Sequence, residues 1–338
     1  MSQTWTVQSV LEQARAFQQS QPLLAAAELN LFEAIGDQAK TAREVADSLG
    51  TDPRATEVLL NALAALGLLE KADGTFRVPR EVGPIVSGSS ESGVLPMLQH
   101  LAFVAHGWDR LVEVVRTGRS NARSGWDRAQ ENQAAYRAFI QAMHVIGRGM
   151  ADRIVAVLQP QRVRRALDVG GASGTYTIAM LRANPDLRAT LFDLPPVVEM
   201  ARERLQAEGL IHRVDLVAGD FYADPLPSGH DMVLLSAIIH QNSPSQNRDL
   251  YRKCFQALEG GGWIAIRDVV MDESHTRPVG GALFAINMLV NTEGGGTYSF
   301  SEIRSDLESA GFVDVRLLQS GEWMDGLVVA AKPGRTVG

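Results

Sequence analysis

The chain has 338 residues, 45% of them apolar, and a formal net charge of −7. This composition indicates a globular protein with room for two domains, and its acidity argues against binding to nucleic acid or to an anionic membrane. The one cysteine, Cys254, excludes an intramolecular disulfide and is typical of a reducing compartment. A polar N-terminus without a signal-peptide core, and the lack of an apolar run long enough to cross a membrane, predict a cytoplasmic protein.

The first hundred residues predict a small helical domain that ends in a β-hairpin. Amphipathic runs at 7–19 and 22–31 indicate two helices, and two further helices follow at capping signals. The pair Asp73 and Gly74 then predicts a tight turn between two short strands. Helices followed by such a hairpin are typical of a winged helix, which we assign to residues 1–100.

A winged helix can bind DNA or join two copies of a chain. Residues 1–100 hold seven Lys and Arg against twelve Asp and Glu, and the helix at 53–67 offers only Arg54, opposed by Glu57. Since phosphate contacts dominate affinity for DNA, a DNA-binding regulator is the weaker interpretation. The apolar helices at 7–35 and 53–67 have more apolar surface than one small domain can cover, which predicts a homodimer.

Long helices are predicted next, at 94–117 and 127–158. The residues that share one face of the second helix are Phe139, Met143 and Ile146, with His144 beside them. Such a stripe fits either a helix core or a pocket for a flat apolar ligand. We assign residues 101–160 to a helical linker that carries substrate-pocket residues.

Residues 161–334 alternate short apolar runs with amphipathic segments. The apolar runs predict strands at 165–169, 188–193, 214–217, 231–236, 262–268, 313–318 and 326–331. The amphipathic segments predict helices at 175–184, 196–208, 246–258, 281–291 and 300–310. This alternation predicts an α/β, Rossmann-like domain with a mostly parallel sheet, which binds ligands at the carboxyl ends of its strands.

The sequence LDVGGASG at 167–174 joins the first of these strands to the first helix. Glycines in such a turn let a ligand approach the backbone closely. The pattern is related to the dinucleotide-binding fingerprint, but Val169 stands where that fingerprint has its first glycine. A nucleotide-like cofactor is therefore predicted, and an NAD-dependent oxidoreductase stays open as an alternative.

Polar and aromatic residues follow the next two strands. Asp193 ends the second strand, where an acid can accept both hydroxyls of a ribose or else cap the following helix. After the third strand, Gly219 lets the chain turn, Asp220 can accept from an exocyclic amine, and Phe221 can stack on a purine. These residues predict a site for the adenosine part of a cofactor.

The fourth and fifth strands end in residues suited to proton transfer. His240 follows an apolar strand on the ligand-binding edge, where an imidazole is a candidate general base. Asp268 ends the next strand and can reach His240 to fix its tautomer. The alternatives are a structural, half-buried histidine and a surface ion pair between Asp268 and Arg267.

These motifs, with IIH at 238–240 and SAGF at 309–312, occur in the order and with the spacing of one enzyme family. The chain resembles the S-adenosylmethionine-dependent O-methyltransferases of the plant caffeate and hydroxyindole type, which have bacterial relatives in secondary metabolism. The resemblance covers nearly the whole chain, because that family also carries an N-terminal winged-helix dimerisation domain. It implies a class I methyltransferase domain with S-adenosyl-L-methionine as cofactor.

The resemblance also implies a role for each matched position. The residues implied to hold the cofactor are Gly170, Gly171, Gly174, Asp193, Leu194, Gly219, Asp220, Phe221 and Ser236, the last of which stands where the plant enzymes have a lysine. His240 matches the catalytic base, and Asp268 matches the first of two acids that flank it. The residues expected to line the acceptor pocket are Phe139, Met143, His144, Phe284, Asn287 and Met288.

The chain departs from the family pattern around the base. The acid and tryptophan that usually follow the histidine are here Gln241 and Asn242. The second flanking acid falls near Thr297, within GGGTY at 294–298, and is absent unless Glu293 substitutes for it. These departures leave the atom that is methylated open.

We predict O-methylation of a small phenolic or polyketide-like acceptor. A neutral imidazole can take the proton of a phenol while the phenol oxygen attacks the methyl group. Methylation of an activated carbon stays open, because relatives methylate carbon. No metal ion is predicted, since His240, Asp268 and His144 lack the short spacing of metal ligands.

Overall fold

The computed structural model describes residues 4–88, 93–120 and 133–334. Backbone contacts divide the chain into two compact units, residues 1–105 and residues 106–338, and the boundary falls inside the helix Leu95–Trp108. Among the described residues, no helix is both long enough and apolar enough to cross a membrane.

The N-terminal unit consists of short helices and a small antiparallel sheet. Its helices are α1 (Val7–Arg15), α2 (Phe17–Glu28), α3 (Leu31–Ile35), α4 (Ala42–Leu49), α5 (Pro53–Ala65), α6 (Gly83–Val86) and the larger part of α7 (Leu95–Trp108). Its strands β1 (Lys40–Thr41), β2 (Glu70–Ala72) and β3 (Thr75–Arg77) pair in the order β1-β3-β2. Apolar residues of α3, α5 and β3 form its core. The predicted helices and hairpin are present, but the first two helices have other bounds than predicted: the break falls at Ala16, Pro22 lies inside α2, and Leu31 begins α3. Strand β1 is one that the sequence did not indicate.

The helices that follow are α8 (Leu111–Thr117) and α9 (Gln133–Leu158). The single helix predicted at 94–117 is wrong, because the chain turns between Trp108 and Leu111. Tertiary contacts compete with helical periodicity at this point: the Trp108 indole donates to Asn287 at 3.2 Å, and a Cβ atom at Gly107 would overlap the side-chain oxygen of Asn291. The predicted first residues of the second helix, 127–132, lie outside the described residues.

A seven-stranded sheet forms the centre of the C-terminal unit. The strands after β3 are β4 (Arg165–Val169), β5 (Arg188–Asp193), β6 (Val214–Ala218), β7 (His230–Ser236), β8 (Leu258–Asp268), β9 (Val270–Met271), β10 (Tyr298–Ser299), β11 (Val313–Gln319) and β12 (Gly326–Ala331). The large sheet has the order β11-β12-β8-β7-β4-β5-β6, and β9 pairs separately with β10. All neighbours from β8 to β6 are parallel, whereas β12 is antiparallel to both of its neighbours. The predicted mostly parallel sheet is confirmed.

Helices cover both faces of this sheet. The helices after α9 are α10 (Thr175–Ala183), α11 (Pro195–Ala207), α12 (Pro244–Ala257), α13 (Val279–Asn291) and α14 (Phe300–Ser309). Each face has its own apolar core, with Ala166 of β4 in one and Leu167 and Val169 in the other. Because the central strands are buried on both sides, they read as unbroken apolar runs. Their parallel direction places the carboxyl ends of β4 to β8 along one edge of the sheet.

Candidate active site

The turn after β4 exposes backbone at this edge. Gly170 has a φ of +68°, its N–H donates to Phe192 O at 2.8 Å, and a side chain here would collide with Ile238. At Gly171, a Cβ atom would lie 2.7 Å from Leu191 Cγ. Gly174 has a φ of +84° and precedes α10 without a side-chain cap. Space at Gly170 and Gly171, and the positive φ of Gly170 and Gly174, thus favour glycine over residues with side chains. The N–H groups of the first turn of α10 have no side-chain cap and suit a polar ligand.

Asp193, at the end of β5, lies directly beside this turn. One carboxylate oxygen accepts from the N–H of Ala172 at 2.8 Å, and the other accepts from the N–H of Leu194 at 2.7 Å. The residue that caps α11 is Leu194, and no side chain caps that helix, so the helix-cap interpretation of Asp193 is wrong. Burial, together with the charge of Asp168, raises the pKa of Asp193 to about 6.

A second carboxyl group lies under the glycine turn. Asp168 is 1% exposed, and the Thr177 hydroxyl donates to it at 2.6 Å. Burial raises the pKa of Asp168 to about 6. With Asp193 nearby, the two carboxyl groups repel each other when both are ionised, so this edge of the sheet favours positively charged or hydrogen-bond-donating ligands.

The loop after β6 reaches the same turn. Phe221 Cε1 is 3.7 Å from the position that a Cβ atom would take on Gly170, and a Cβ on Gly219 would collide with the Phe192 ring. The Asp220 carboxylate accepts from the Tyr222 N–H at 2.9 Å, which fixes the loop. The structure therefore brings Asp193, Gly219 and Phe221 together around the glycine turn.

His240 lies in a short 3₁₀ helix, Ile239–Gln241, just after β7. Its Nδ1 is 2.9 and 3.0 Å from the two carboxylate oxygens of Asp268, one of which also accepts from the Val269 N–H at 2.8 Å. The Asp268 side chain is 1% exposed and the His240 side chain 13%. With Nδ1 as donor, Nε2 is left as a proton acceptor. Ala237, which has a φ of +58°, redirects the chain between β7 and this helix.

Arg267 does not pair with Asp268, so the predicted alternative of a surface ion pair is wrong. Successive residues of β8 point to opposite faces of the sheet, and the Arg267 side chain is 3% exposed. Its guanidinium donates to the Ser236 hydroxyl at 3.3 Å and lies 5.2 Å from the centre of the Tyr176 ring. In the described part of the chain, no carboxylate forms an ion pair with it. The only sequence signal for this buried cation was a charged residue inside an apolar strand.

The expected pocket residues fall into separate groups. Phe284 on α13 packs its ring edge-on against His240, with 4.9 Å between the ring centres. Met288 on the same helix is 7% exposed, and the Asn287 side chain accepts from Trp108. On α9, Met143 is half-buried. Phe139 packs with Ala172 and Leu194, on the side of the glycine turn that Asp193 contacts.

His144 is tied into the scaffold. Its Nδ1 is 2.8 Å from the Thr175 hydroxyl and its Nε2 is 2.9 Å from an Arg204 nitrogen, so it joins α9 to α10 and α11. Burial and, second, the charge of Arg204 lower the pKa of His144 to about 4, which keeps the ring neutral at physiological pH. The structure gives it no bond to His240, Asp268 or Phe284.

Asp268 is the only carboxylate hydrogen-bonded to His240 among the residues described. Glu293 is exposed and Thr297 is 7% exposed. Across the same residues, no group of three His, Cys, Asp or Glu side chains could hold a metal ion. This edge of the sheet therefore holds an imidazole whose Nδ1 is fixed by one buried acid, beside a glycine-lined turn.

Two family models match the chain. The O-methyltransferase domain model matches residues 108–313, and the O-methyltransferase dimerisation domain model matches residues 11–81. The chain is 37% identical to 3-hydroxy-5-methyl-1-naphthoate 3-O-methyltransferase of Streptomyces sahachiroi, over 93% of this chain and 92% of the relative. It is 30% identical to the tetracenomycin polyketide synthesis 8-O-methyl transferase TcmO of Streptomyces glaucescens, over 96% of each chain.

Solved structures share the architecture of the whole chain. The structure of PigF with SAH, a protein of a Serratia species, superposes with a TM-score of 0.86 at 27% identity, over 97% of this chain and 100% of that one. Both family models and both relatives carry the same designation. The chain belongs to the O-methyltransferase family.

Proposed function

We propose that the chain transfers the methyl group of S-adenosylmethionine to a hydroxyl oxygen of a small aromatic acceptor, with His240 as the general base. The observation that carries this proposal is the pair formed by the His240 Nδ1 and both oxygens of the buried Asp268. It leaves Nε2 free to accept a proton at the same sheet edge as the glycine turn. The names of the Streptomyces relatives and the structure of PigF with SAH support the cofactor and the acceptor class.

The residues present fit this cofactor. A Cβ atom at Gly170, Gly171 or Gly219 would collide with Ile238, Leu191 or Phe192, so these positions need glycine, and the backbone beside Asp193 carries no side chain there. Asp193 would accept from the ribose hydroxyls, and Phe221 would stack on the adenine. When bound, the cofactor supplies an electrophilic methyl group on a sulfonium. The chain need not activate that group and has only to align the acceptor and remove its proton.

The acceptor would be held beside the imidazole. Phe284 presents its ring to His240 and lies 6.0 Å from the Trp323 ring, so aromatic surface borders the base. A flat aromatic ring packs well against such side chains. His240 would take the proton from the acceptor hydroxyl through Nε2, and Asp268 would stabilise the imidazolium that forms.

The cofactor assignment predicts that S-adenosylhomocysteine raises the melting temperature of the protein, because a ligand that binds only the native state stabilises it by mass action. At a hundredfold excess over the dissociation constant, the gain is about 2.7 kcal/mol. Differential scanning fluorimetry would measure it, with NAD as the comparison ligand. Stabilisation by NAD and not by S-adenosylhomocysteine would favour the oxidoreductase alternative and overturn the proposal.

Product analysis tests the acceptor atom. We expect incubation with S-adenosylmethionine and 3-hydroxy-5-methyl-1-naphthoate, or other hydroxynaphthoates, to yield an aryl methyl ether identifiable by mass spectrometry and NMR. A methyl group found on a ring carbon would overturn the O-methylation proposal while leaving the cofactor assignment in place.

We also propose a homodimer built through the N-terminal unit, which contains the dimerisation domain. Helix α1 has no buried residue. The exposed fraction is 81% for Val7, 52% for Val10 and 58% for Phe17, which begins α2. A monomer would leave these apolar side chains in water. Light scattering should therefore give about twice the single-chain mass of 36.6 kDa.

Charged substitutions on that surface should separate the two copies. Val10→Asp combined with Phe17→Asp is expected to give the single-chain mass, because two carboxylates would be buried unpaired in the interface. Gln13→Asp adds a charge at an exposed polar position of α1 and serves as the control. A wild-type protein that scatters as one chain at micromolar concentration would contradict the dimer.

A further inference from the structure

The segment GGGTY at 294–298 holds the backbone of the turn that carries His240. The N–H of Gly296 donates to the His240 carbonyl oxygen at 2.9 Å. Two residues further on, the Tyr298 hydroxyl donates to the Asn242 carbonyl oxygen. The segment thus bonds to the backbone of His240 through Gly296 and to the backbone of Asn242, which ends the turn, through Tyr298.

Asn242 fixes the same turn from inside. It is fully buried, its side-chain amide donates to Asn247 at 2.9 Å, and the Asn247 amide donates to the Ile239 carbonyl at 3.0 Å. The Tyr222 hydroxyl donates to the Asn242 side-chain oxygen. Three of the four carbonyl groups from Ile239 to Asn242, all except that of Gln241, therefore accept a hydrogen bond from a residue outside this turn.

Gly295 makes the close approach of the segment possible. A Cβ atom there would lie 2.5 Å from the His240 carbonyl oxygen, 2.5 Å from the Thr292 hydroxyl and 3.0 Å from the Gln241 carbonyl carbon. At Gly296, a Cβ atom would meet nothing within 4 Å. Neither glycine has a left-handed φ, so the need for glycine at 295 comes from space and not from backbone conformation.

The chain therefore orients its base by two different means. Asp268 bonds to Nδ1 and fixes the tautomer, but a single contact at one nitrogen leaves the ring free to pivot about it. Fixing the backbone of His240 limits that movement, and Phe284, from the helix that leads into the GGGTY segment, packs on the ring. Catalysis by a general base requires Nε2 within hydrogen-bond reach of the proton that it removes.

We propose that residues 294–298 form a main-chain clamp that positions His240 for proton removal, with Gly295 and Tyr298 as its positioning residues. The clamp takes over the orienting role of a second carboxylate, which this site lacks among the described residues. This proposal rests on the proposed function insofar as His240 is the base. Since Gly296 and Tyr298 bond to the turn that carries His240 and not to the glycine turn, cofactor affinity is expected to stay unchanged.

The test compares two adjacent glycines. Gly295→Ala should lower turnover of a hydroxynaphthoate about 10- to 100-fold, because displacement of a catalytic group by about 1 Å can cost that much. Gly296→Ala keeps the N–H group and adds its methyl group to open space, so its loss should be much smaller. Tyr298→Phe removes only the hydroxyl and should also lower turnover. All three should bind S-adenosylhomocysteine with the wild-type affinity, measured by calorimetry, which shows that the domain is folded.

Two further measurements separate positioning from a general loss of structure. In a double-mutant cycle, Gly295→Ala should add little to the defect of His240→Ala, since the clamp acts through that imidazole. Without any acceptor, NMR should show that the chemical shifts of the His240 ring signals change in Gly295→Ala and stay the same in Gly296→Ala, with the ring signals identified by their loss in His240→Ala.

The outcomes distinguish this proposal from the proposed function. If His240→Ala lowers turnover, but Gly295→Ala lowers the remaining rate of His240→Ala by the same factor as it lowers the wild-type rate, the clamp is overturned and the base remains. Wild-type turnover in Gly295→Ala overturns the clamp too. Near-wild-type turnover of His240→Ala alone overturns both the base and the clamp.

Discussion

Replacing His240 with alanine is expected to lower turnover by about 10²- to 10⁴-fold, the usual contribution of a general base. The imidazole is held by Asp268 on one side and faces Phe284 on the other. Its removal should leave the affinity for S-adenosylhomocysteine nearly unchanged, because none of the residues of the glycine turn bonds to it. Initial rates with a hydroxynaphthoate, and calorimetry with S-adenosylhomocysteine, would measure the two effects separately.

Asp268→Asn is expected to have a smaller effect on turnover than His240→Ala. It keeps the base and the shape of its partner but removes the charge that stabilises the imidazolium, so it should cost less than His240→Ala. Wild-type turnover should fall in acid, because a protonated imidazole cannot accept a proton. Near-wild-type rates for His240→Ala would mean that alignment of the acceptor alone carries the reaction, and His240 would then be a pocket residue.

Much of the fold could be predicted because the sheet is buried on both faces. Strands such as Arg165–Val169 and Arg188–Asp193 are short apolar runs between glycine and proline signals, and their predicted bounds agree with the structure. Parallel strands also bring their carboxyl ends to one edge. The topology of the sheet alone therefore predicts that Asp193, Phe221 and the glycine turn lie close together.

The helical middle was harder to predict, because periodicity shows which residues share a face and not what that face contacts. His144 follows Met143 directly and was grouped with it, yet its ring bonds to Thr175 and Arg204. The pairing of Arg267 with its neighbour Asp268 failed for the related reason that adjacent strand residues point to opposite faces. Contacts of this kind depend on which helix covers which face.

The contacts around His240 could likewise be predicted only in part from the sequence. The sequence indicated correctly that His240 and Asp268 meet, because both end neighbouring parallel strands. From the sequence, GGGTY at 294–298 is notable only because it lacks the second flanking acid. That this segment bonds to the His240 backbone depends on a close main-chain approach between residues more than fifty positions apart in the chain, which no local pattern encodes.

Asp193→Ala is expected to weaken binding of S-adenosylhomocysteine by about 100-fold or more. Two ribose hydroxyls would lose a charged acceptor, and hydrogen bonds to charged groups contribute about 1.5–3 kcal/mol each. Calorimetry on the wild type and the variant would give the ratio. Asp215→Ala removes an exposed carboxylate from the neighbouring strand β6 and serves as the control. Wild-type affinity in Asp193→Ala would overturn the ribose assignment.

The same carboxylate predicts how cofactor affinity depends on pH. Burial and the charge of Asp168 raise the pKa of Asp193 to about 6 in the free protein, above the usual value, so the group gains its proton as the pH falls through about 6. In the proposed site the ribose hydroxyls would donate to the ionised form, so binding would favour the deprotonated protein. Affinity for S-adenosylhomocysteine should rise with pH up to about 6 and level off above it.

The free protein should show the opposite trend in stability. Because the pKa of Asp193 is higher in the folded than in the unfolded chain, the native state binds more protons between about pH 4 and pH 6, and its free energy of unfolding falls as the pH rises through that window. Asp168, whose pKa is also raised to about 6 by burial, contributes in the same direction. Asp193→Asn cannot ionise, so it should lose the pH dependence of binding while keeping the part of the stability profile that Asp168 causes. An unchanged binding profile in Asp193→Asn would assign the pH dependence to Asp168 instead.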